Sequence, residues 1–170
     1  MNETEPISKS KIWSCLEEVF DPEIPVLNIV EMGIVRGIEM ESEMVTIKIT
    51  PTYSGCPAMN AIEMEIQKKL NEKGIESFRV LTDYKETWTT DWMTNEAKQK
   101  LKEYGIAPPG KTDVDSDNYL IGLKNSQKTV PCPYCDSTDT KLQSEFGSTA
   151  CKAQYYCHSC DQPFEHFKCI

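Results

Sequence analysis

The chain has 170 residues, enough for one ordinary domain and a small second one. Its 27 acidic against 18 basic side chains leave a formal net charge of −9, which argues against a nucleic-acid partner because phosphate binding needs a basic face. No apolar run approaches the ~20 residues of a membrane span, and Met1 to Ser10 is polar and acidic rather than basic-then-apolar, so no membrane association is expected and the cytoplasm is the expected location.

Ile12, Trp13, Leu16, Val19 and Phe20 fall at helical spacing and predict a first helix from Ser8, its N-cap, to Phe20. Asp21-Pro22 ends it, since proline disfavours helical geometry in the residue before it. Asp21-Pro22-Glu23-Ile24-Pro25-Val26 then reads as a stiff extended loop. Two strands, Ile34 to Met40 and Met44 to Thr50, flank the hairpin turn Glu41-Ser42-Glu43. In the second strand Val45, Ile47 and Ile49 alternate with Thr46, Lys48 and Thr50, which predicts one buried and one wet face. A second helix starts at Pro57, buries Met59, Ile62, Ile66 and Leu70, and stops at Lys73-Gly74. Ile75 to Asp83 reads as a third strand. Thr94 to Tyr104 reads as a third helix, with Thr94 as its cap and Gly105 after it. The order helix, hairpin, helix, strand, helix predicts an α+β class: a small α/β sandwich with helices on one face of a mixed sheet. The predicted boundaries are a first domain over 1–110, a polar linker over 111–128 and a small module over 129–170.

That last module carries the strongest signal in the chain. Cys132-Pro133-Tyr134-Cys135 and Cys157-His158-Ser159-Cys160 are two CxxC knuckles with 21 residues between them. Four thiolates so spaced close a tetrahedral shell around Zn²⁺, and in a reducing compartment they read as metal ligands rather than disulfides. Cys₄ also holds iron–sulfur clusters, which stays open as the alternative. A module this short needs its metal, because it is too small to be held by apolar burial alone. Residues 128–170 hold 4 basic and 5 acidic side chains, so the ribbon offers no footing for nucleic acid. Cys151 and Cys169 are surplus to the four-ligand site: they exchange with the ribbon ligands, form a second thiol site with Cys56, or pack.

In the first domain Cys56, directly before Pro57, is expected at the N-cap of the second helix, where the dipole favours a thiolate able to act as nucleophile or soft-metal ligand. The alternative is a small buried cysteine at a loop corner. Asp21 and Glu23, two residues apart in the stiff loop, either ligate a metal or orient a partner, or else Asp21 ends the helix and Glu23 is solvated. Cys15 lies beside the apolar stripe of the first helix and reads as packing. Both histidines, His158 and His166, fall in the ribbon, so no His-based acid–base pair or triad is available to the first domain. Neither a GxxxxGK[ST] nor a GxGxxG phosphate loop is present. The chain is therefore not expected to be catalytic by itself. A thiol-dependent reductase using Cys56 is disfavoured by the lack of a nearby resolving cysteine.

Three stretches, Asp21-Pro22-Glu23-Ile24-Pro25-Val26, Ile29-Val30-Glu31-Met32-Gly33-Ile34-Val35, and Thr50-Pro51-Thr52 with Cys56-Pro57, resemble the MIP18 family of iron–sulfur assembly factors in order and spacing over about residues 8–110. The resemblance implies a small α/β sandwich, and a functional patch in which Asp21, Glu23, Thr50 and Cys56 converge. With the ribbon added, the whole chain resembles the PaaD family of bacterial phenylacetyl-CoA epoxidase (ring-1,2-epoxidase) systems. Trp88, Asp91-Trp92-Met93, Gly105-Ile106-Ala107-Pro108-Pro109, Phe146 to Lys152 and Cys157 to Cys169 carry that likeness. It implies an accessory or maturation role in aerobic phenylacetate degradation, with a di-iron oxygenase and an iron–sulfur reductase as partners. It also implies iron or an iron–sulfur cluster as transient cargo beside structural zinc. A structural or regulatory component without metal transfer is the competing reading, and the oligomeric state stays open, a homodimer included.

Overall fold

A computed structural model of the chain describes residues 7–41, 44–110 and 129–168. The linker expected at 111–128, the turn residues Ser42 and Glu43, and Cys169 lie outside the described residues. The chain divides into two compact units, Met1–Trp88 with Trp92–Ala97, and Thr89–Asp91 with Lys98–Ile170.

The first unit opens with α1 (Lys9–Leu16), capped by Ser8, whose Oγ accepts the Lys11 backbone N–H at 3.3 Å. The strands β1 (Val35–Glu41) and β2 (Met44–Ile49) pair antiparallel, as a hairpin requires. The helix α2 (Ala58–Glu72) then carries the chain to β3 (Phe78–Thr82), which pairs parallel to β2 and leaves β2 central. Parallel neighbours need such a crossover, since a tight turn cannot join them. Met59, Ile62, Ile66 and Leu70 are all buried, the stripe that their spacing predicts. Lys69 of α2 and Lys73, its C-cap, reach Glu18 at 3.5 and 2.9 Å.

Two local expectations are corrected. The first helix ends at Leu16, not Phe20, and Phe20 is 47% exposed instead of packed. The cause lies just downstream. Asp21 Oδ1 accepts the backbone N–H groups of Glu23 and Ile24, both at 2.8 Å, and Phe20 bridges Asn28 while Asp21 N donates to Leu27 O. This small closed loop pulls residues 19–21 out of helical geometry. The wet face expected for β2 is partly covered: Thr46 and Thr50 are 3% and 2% exposed. Thr46 sits opposite Arg79 on β3, and the Arg79 Nε–H donates to its Oγ1 at 2.8 Å, so the guanidinium stem lies over the strand.

The turn at 28–31 is a reciprocal capping arrangement absent from the predicted elements. Asn28 Oδ1 accepts from Val30 N and Glu31 N, and Glu31 Oε1 accepts from Asn28 N at 2.8 Å. Its signal is nonetheless in the sequence, an Asn followed three residues later by a Glu. Trp88, 1% exposed, donates its indole N–H to Met32 O at 3.0 Å, and the Arg36 guanidinium lies 3.5 Å over the Trp92 ring.

After a short 3-10 helix (Thr90–Trp92) comes α3 (Asn95–Glu103), capped by Thr94, whose Oγ1 accepts Ala97 N at 3.1 Å. The second unit holds a four-stranded sheet in the order β4-β7-β6-β5, built from β4 (Ile106–Ala107), β5 (Thr140–Ser144), β6 (Lys152–Cys157) and β7 (Gln162–Phe167). Residues 98–110, read from sequence as the end of the first domain, therefore group with the ribbon. Ile106 and Ala107 pair with Glu165 and His166 of β7, and His166 Nδ1 lies 3.1 Å from Ala107 O. Two residues of strand carry no readable periodicity, so only the tertiary pairing reveals them.

The stretch from Phe146 to Lys152 is held by a covered ion pair. Lys152 is 4% exposed and its Nζ lies 3.1 Å from Glu165 Oε2, while Glu165 Oε1 accepts Ser148 N at 2.6 Å. A Cβ at Gly147 would come 2.7 Å from Glu165 Oε1, so an added methyl there would have to displace that carboxylate. Burial works against the Glu165 carboxylate, but the Ser148 N–H and the Lys152 ammonium outweigh it and hold its pKa below the ordinary value. A depressed carboxylate contributes stability that is complete above the ordinary glutamate range of about 4.3 and is lost as pH falls through the lowered value. Glu165→Ala is expected to destabilise the ribbon by about 3 kcal/mol, because it strands a buried ammonium. Chemical denaturation at neutral pH measures this, and the difference from wild type should shrink in acid.

Candidate functional site

Each CxxC knuckle is a closed turn. Cys132 N donates to Ser137 O and Asp136 N to Cys132 O, both at 2.9 Å, while Cys157 pairs with Gln162 across the β6–β7 turn. The residue after each second cysteine takes a left-handed backbone, Asp136 at φ 58° and Asp161 at φ 55°. Aspartate adopts that region more readily than most residues. The Ser137 and Ser159 hydroxyls meet at 2.6 Å, joining the two knuckles, and Tyr156 donates its hydroxyl to Asp161 Oδ1 at 3.1 Å.

These turns bring the four sulfurs of Cys132, Cys135, Cys157 and Cys160 within 4.8 Å of one another. Cys132 Sγ lies 3.7 Å from Cys160 Sγ, and Cys135 Sγ 3.6 Å from Cys157 Sγ. A tetrahedron of sulfurs at the usual Zn–S distance of about 2.3 Å has edges of roughly 3.8 Å, whereas a disulfide needs about 2.05 Å. The spacing thus fits a four-coordinate ion and not a pair of disulfides. Cys132 and Cys157 sit in the small core of Ala107, Val130 and Phe164, while Cys135 is exposed.

The thiols resist sharing that space without a cation. Burial and the neighbouring Cys135, Cys157 and Cys132 sulfurs push Cys160 up to about 12. Burial also opposes ionisation of Cys157, but the backbone N–H groups of Cys160 and Ser159 prevail and bring it down to about 7. Cys157 therefore ionises more readily than Cys160, and a divalent ion supplies the charge that favours the thiolate form there. Cys151 is outside this cluster. It is buried in the same unit, with Thr149 Oγ1 3.1 Å from its sulfur and Lys168 N donating to its carbonyl.

In the first unit the cap of α2 is Pro57, so Cys56 lies one residue before the N-cap instead of on it. Gly55 at φ 82° turns the chain into that position. Cys56 is part-exposed and opens into a hollow of about 310 Å³ lined by Pro51, Asn60, Glu63, Thr82 and Tyr84 among others. Asp21, Glu23 and Thr50 are not among its lining residues. Asp21 is 7% exposed and binds backbone N–H groups, and Thr50 is 2% exposed with its N–H donating to Ile34 O at 2.9 Å. Pro22 lines a separate hollow with Glu18, Phe20, Ala61 and Glu65. Cys15 is 2% exposed, and burial raises its thiol pKa, as suits packing.

Comparison with known proteins adds the family. The model described as "Iron-sulfur cluster assembly protein" matches residues 9–80, and the model described as "PaaD zinc beta ribbon domain" matches residues 116–168. An Escherichia coli K12 protein, named as a putative 1,2-phenylacetyl-CoA epoxidase subunit, is 43% identical over 165 residues, covering 97% of this chain and 95% of its own. The chain belongs to the PaaD family. A "Fe-S protein maturation auxiliary factor" of Porphyromonas gingivalis is 29% identical over 96 residues, 55% of this PaaD-family chain and 90% of its own length. The crystal structure of a domain of unknown function, DUF59, from Bacillus anthracis superposes with a TM-score of 0.51 at 28% identity, covering 55% of this chain and 90% of that one. The PaaD-family chain thus joins a MIP18-like α/β unit to a ribbon whose four cysteines suit zinc. Among the described residues no helix is long and apolar enough to cross a membrane.

Proposed function

We propose that this chain is an accessory factor of a phenylacetyl-CoA epoxidase that assists assembly of iron–sulfur or di-iron centres in its oxygenase and reductase partners in the cytoplasm. The observation that carries this reading is the near full-length similarity to a named epoxidase component, joined to the match of residues 9–80 with an iron–sulfur assembly model. In this reading Cys132, Cys135, Cys157 and Cys160 hold structural zinc that shapes the ribbon for docking. Cys56 holds iron or a cluster transiently, as cargo, and Asp21, Glu23 and Thr50, which do not line its hollow, form the rest of the proposed functional patch. A transfer thiol must be reachable and incompletely ligated, and a part-exposed cysteine at the mouth of an open hollow meets that need. Cys151 serves the packing of the ribbon, and Cys169 has no assigned part.

Cys56→Ala is expected to leave zinc content and folding unchanged while lowering iron in co-expressed reductase and oxygenase several-fold. Metal analysis of the purified partners checks this, and full iron content in both would refute the transfer role. The Escherichia coli relative is named as part of an epoxidase, which favours a second reading, a structural component of the complex. A structural component stays in fixed ratio with active epoxidase, whereas a maturation factor is dispensable once the client is loaded.

A further inference from the structure

Building on the assignment of Cys56 as the transfer thiol, we infer that Glu63 is its partner ligand, and that the two together hold ferrous iron in the hollow before α2. Cys56, Asn60, Glu63 and Tyr84 line the same cavity, and among the described residues no lysine, arginine or histidine lines it. A cavity with one thiol, one carboxylate and no basic side chain suits a cation rather than an anionic ligand. Glu63 lies three residues after Asn60 and four after Met59 on α2, and all three line the hollow.

The Glu63 carboxylate is held in place. Thr82 of β3 donates its hydroxyl to Glu63 Oε1 at 2.7 Å, the kind of outer contact that orients a ligating carboxylate and leaves its second oxygen for the ion. Asp21 is differently employed, with Oδ1 accepting the N–H groups of Glu23 and Ile24 at 2.8 Å. A thiolate with a carboxylate is a mixed soft and hard donor set that accepts borderline Fe²⁺. Two protein ligands leave the shell incomplete. The open hollow of about 310 Å³ leaves room for waters or an incoming client ligand to complete the shell, so the ion is released by ligand exchange.

Anaerobic equilibrium dialysis of the full, zinc-loaded chain against ferrous sulfate, with metal analysis and thermal melts of each variant, tests the pair. Cys56→Ala is expected to abolish iron uptake. Glu63→Gln keeps an acceptor for Thr82 and therefore the fold, and is expected to weaken uptake at least ~10-fold with an unchanged melting temperature; Glu63→Asp recovers part of the loss. Thr82→Val weakens uptake less than Glu63→Gln, and Thr82→Ser restores it. Loss with Cys56→Ala but wild-type uptake by Glu63→Gln overturns the role of Glu63 and leaves Cys56 as the transfer thiol. Wild-type uptake by Cys56→Ala overturns both.

Discussion

Removing the metal from the four-cysteine centre is expected to unfold the ribbon while the α/β unit keeps its structure. The apolar cluster around the centre is Ala107, Val130 and Phe164 together with two of the ligands themselves, Cys132 and Cys157. So little burial cannot offset the entropy of ordering the ribbon, and structural zinc contributes folding free energy of about 10–16 kcal/mol in comparable small modules. Cys157→Ser should have nearly the effect of a chelator, because the residue is 0% exposed and its thiol is the one brought down to about 7. The pH dependence has a definite sign. Zinc requires all four thiolates, yet near neutrality Cys157 is only about half ionised and Cys160, pushed up to about 12, keeps its proton. Binding therefore releases protons, that of Cys160 among them, and affinity falls as pH drops. Proton–nitrogen NMR of the full chain with and without chelator reads both units at once. A dispersed ribbon spectrum in a verified metal-free sample would sink the expectation, as would stoichiometric zinc in Cys157→Ser. Cys151→Ser is the control and should retain zinc, since its sulfur stands outside the cluster.

Gly33→Ala is expected to destabilise the α/β unit by at least ~3 kcal/mol. Gly33 has φ 72°, a region that costs other residues about 1–2 kcal/mol. A Cβ there would also come 2.7 Å from both the Cβ and the carbonyl oxygen of Trp92. Neither atom is the end of a flexible side chain, so the backbone must shift to relieve the overlap. The displaced region carries the Arg36 stack on Trp92, the Trp88 bond to Met32 O, and the Thr94 N–H bond to Glu31 O at 2.9 Å. Urea denaturation followed by tryptophan fluorescence measures the change, with a fall in Tm of at least ~10 °C expected for a unit of this size. A loss below about 1 kcal/mol would show that the loop relaxes freely around the added methyl.

The capping signals were legible residue by residue. Ser8 and Thr94 cap the helices they precede, and the buried stripe of α2 falls on the four residues its spacing picks out. Local rules sufficed there because a cap or an amphipathic face is decided within a turn or two of its own residue. They failed where a distant strand competes. Phe20 leaves the helix for a bridge to Asn28, Thr46 is covered by Arg79 from the neighbouring strand, and Ile106-Ala107 joins a sheet whose other strands begin more than thirty residues later.

The candidate sites divide the same way. Sequence alone marked four cysteines in two knuckles as one metal site, because thiolate chemistry and two-residue spacing favour a shared ion, with an iron–sulfur cluster as the alternative. It also marked Cys56 as the thiol to watch, because proline and glycine place it at a helix entrance. Only the tertiary structure decided which residues line the hollow beside that thiol. Glu63 comes from the body of α2 and Thr82 from β3. No sequence spacing encodes that meeting; it exists because α2 crosses over to lay β3 parallel to β2.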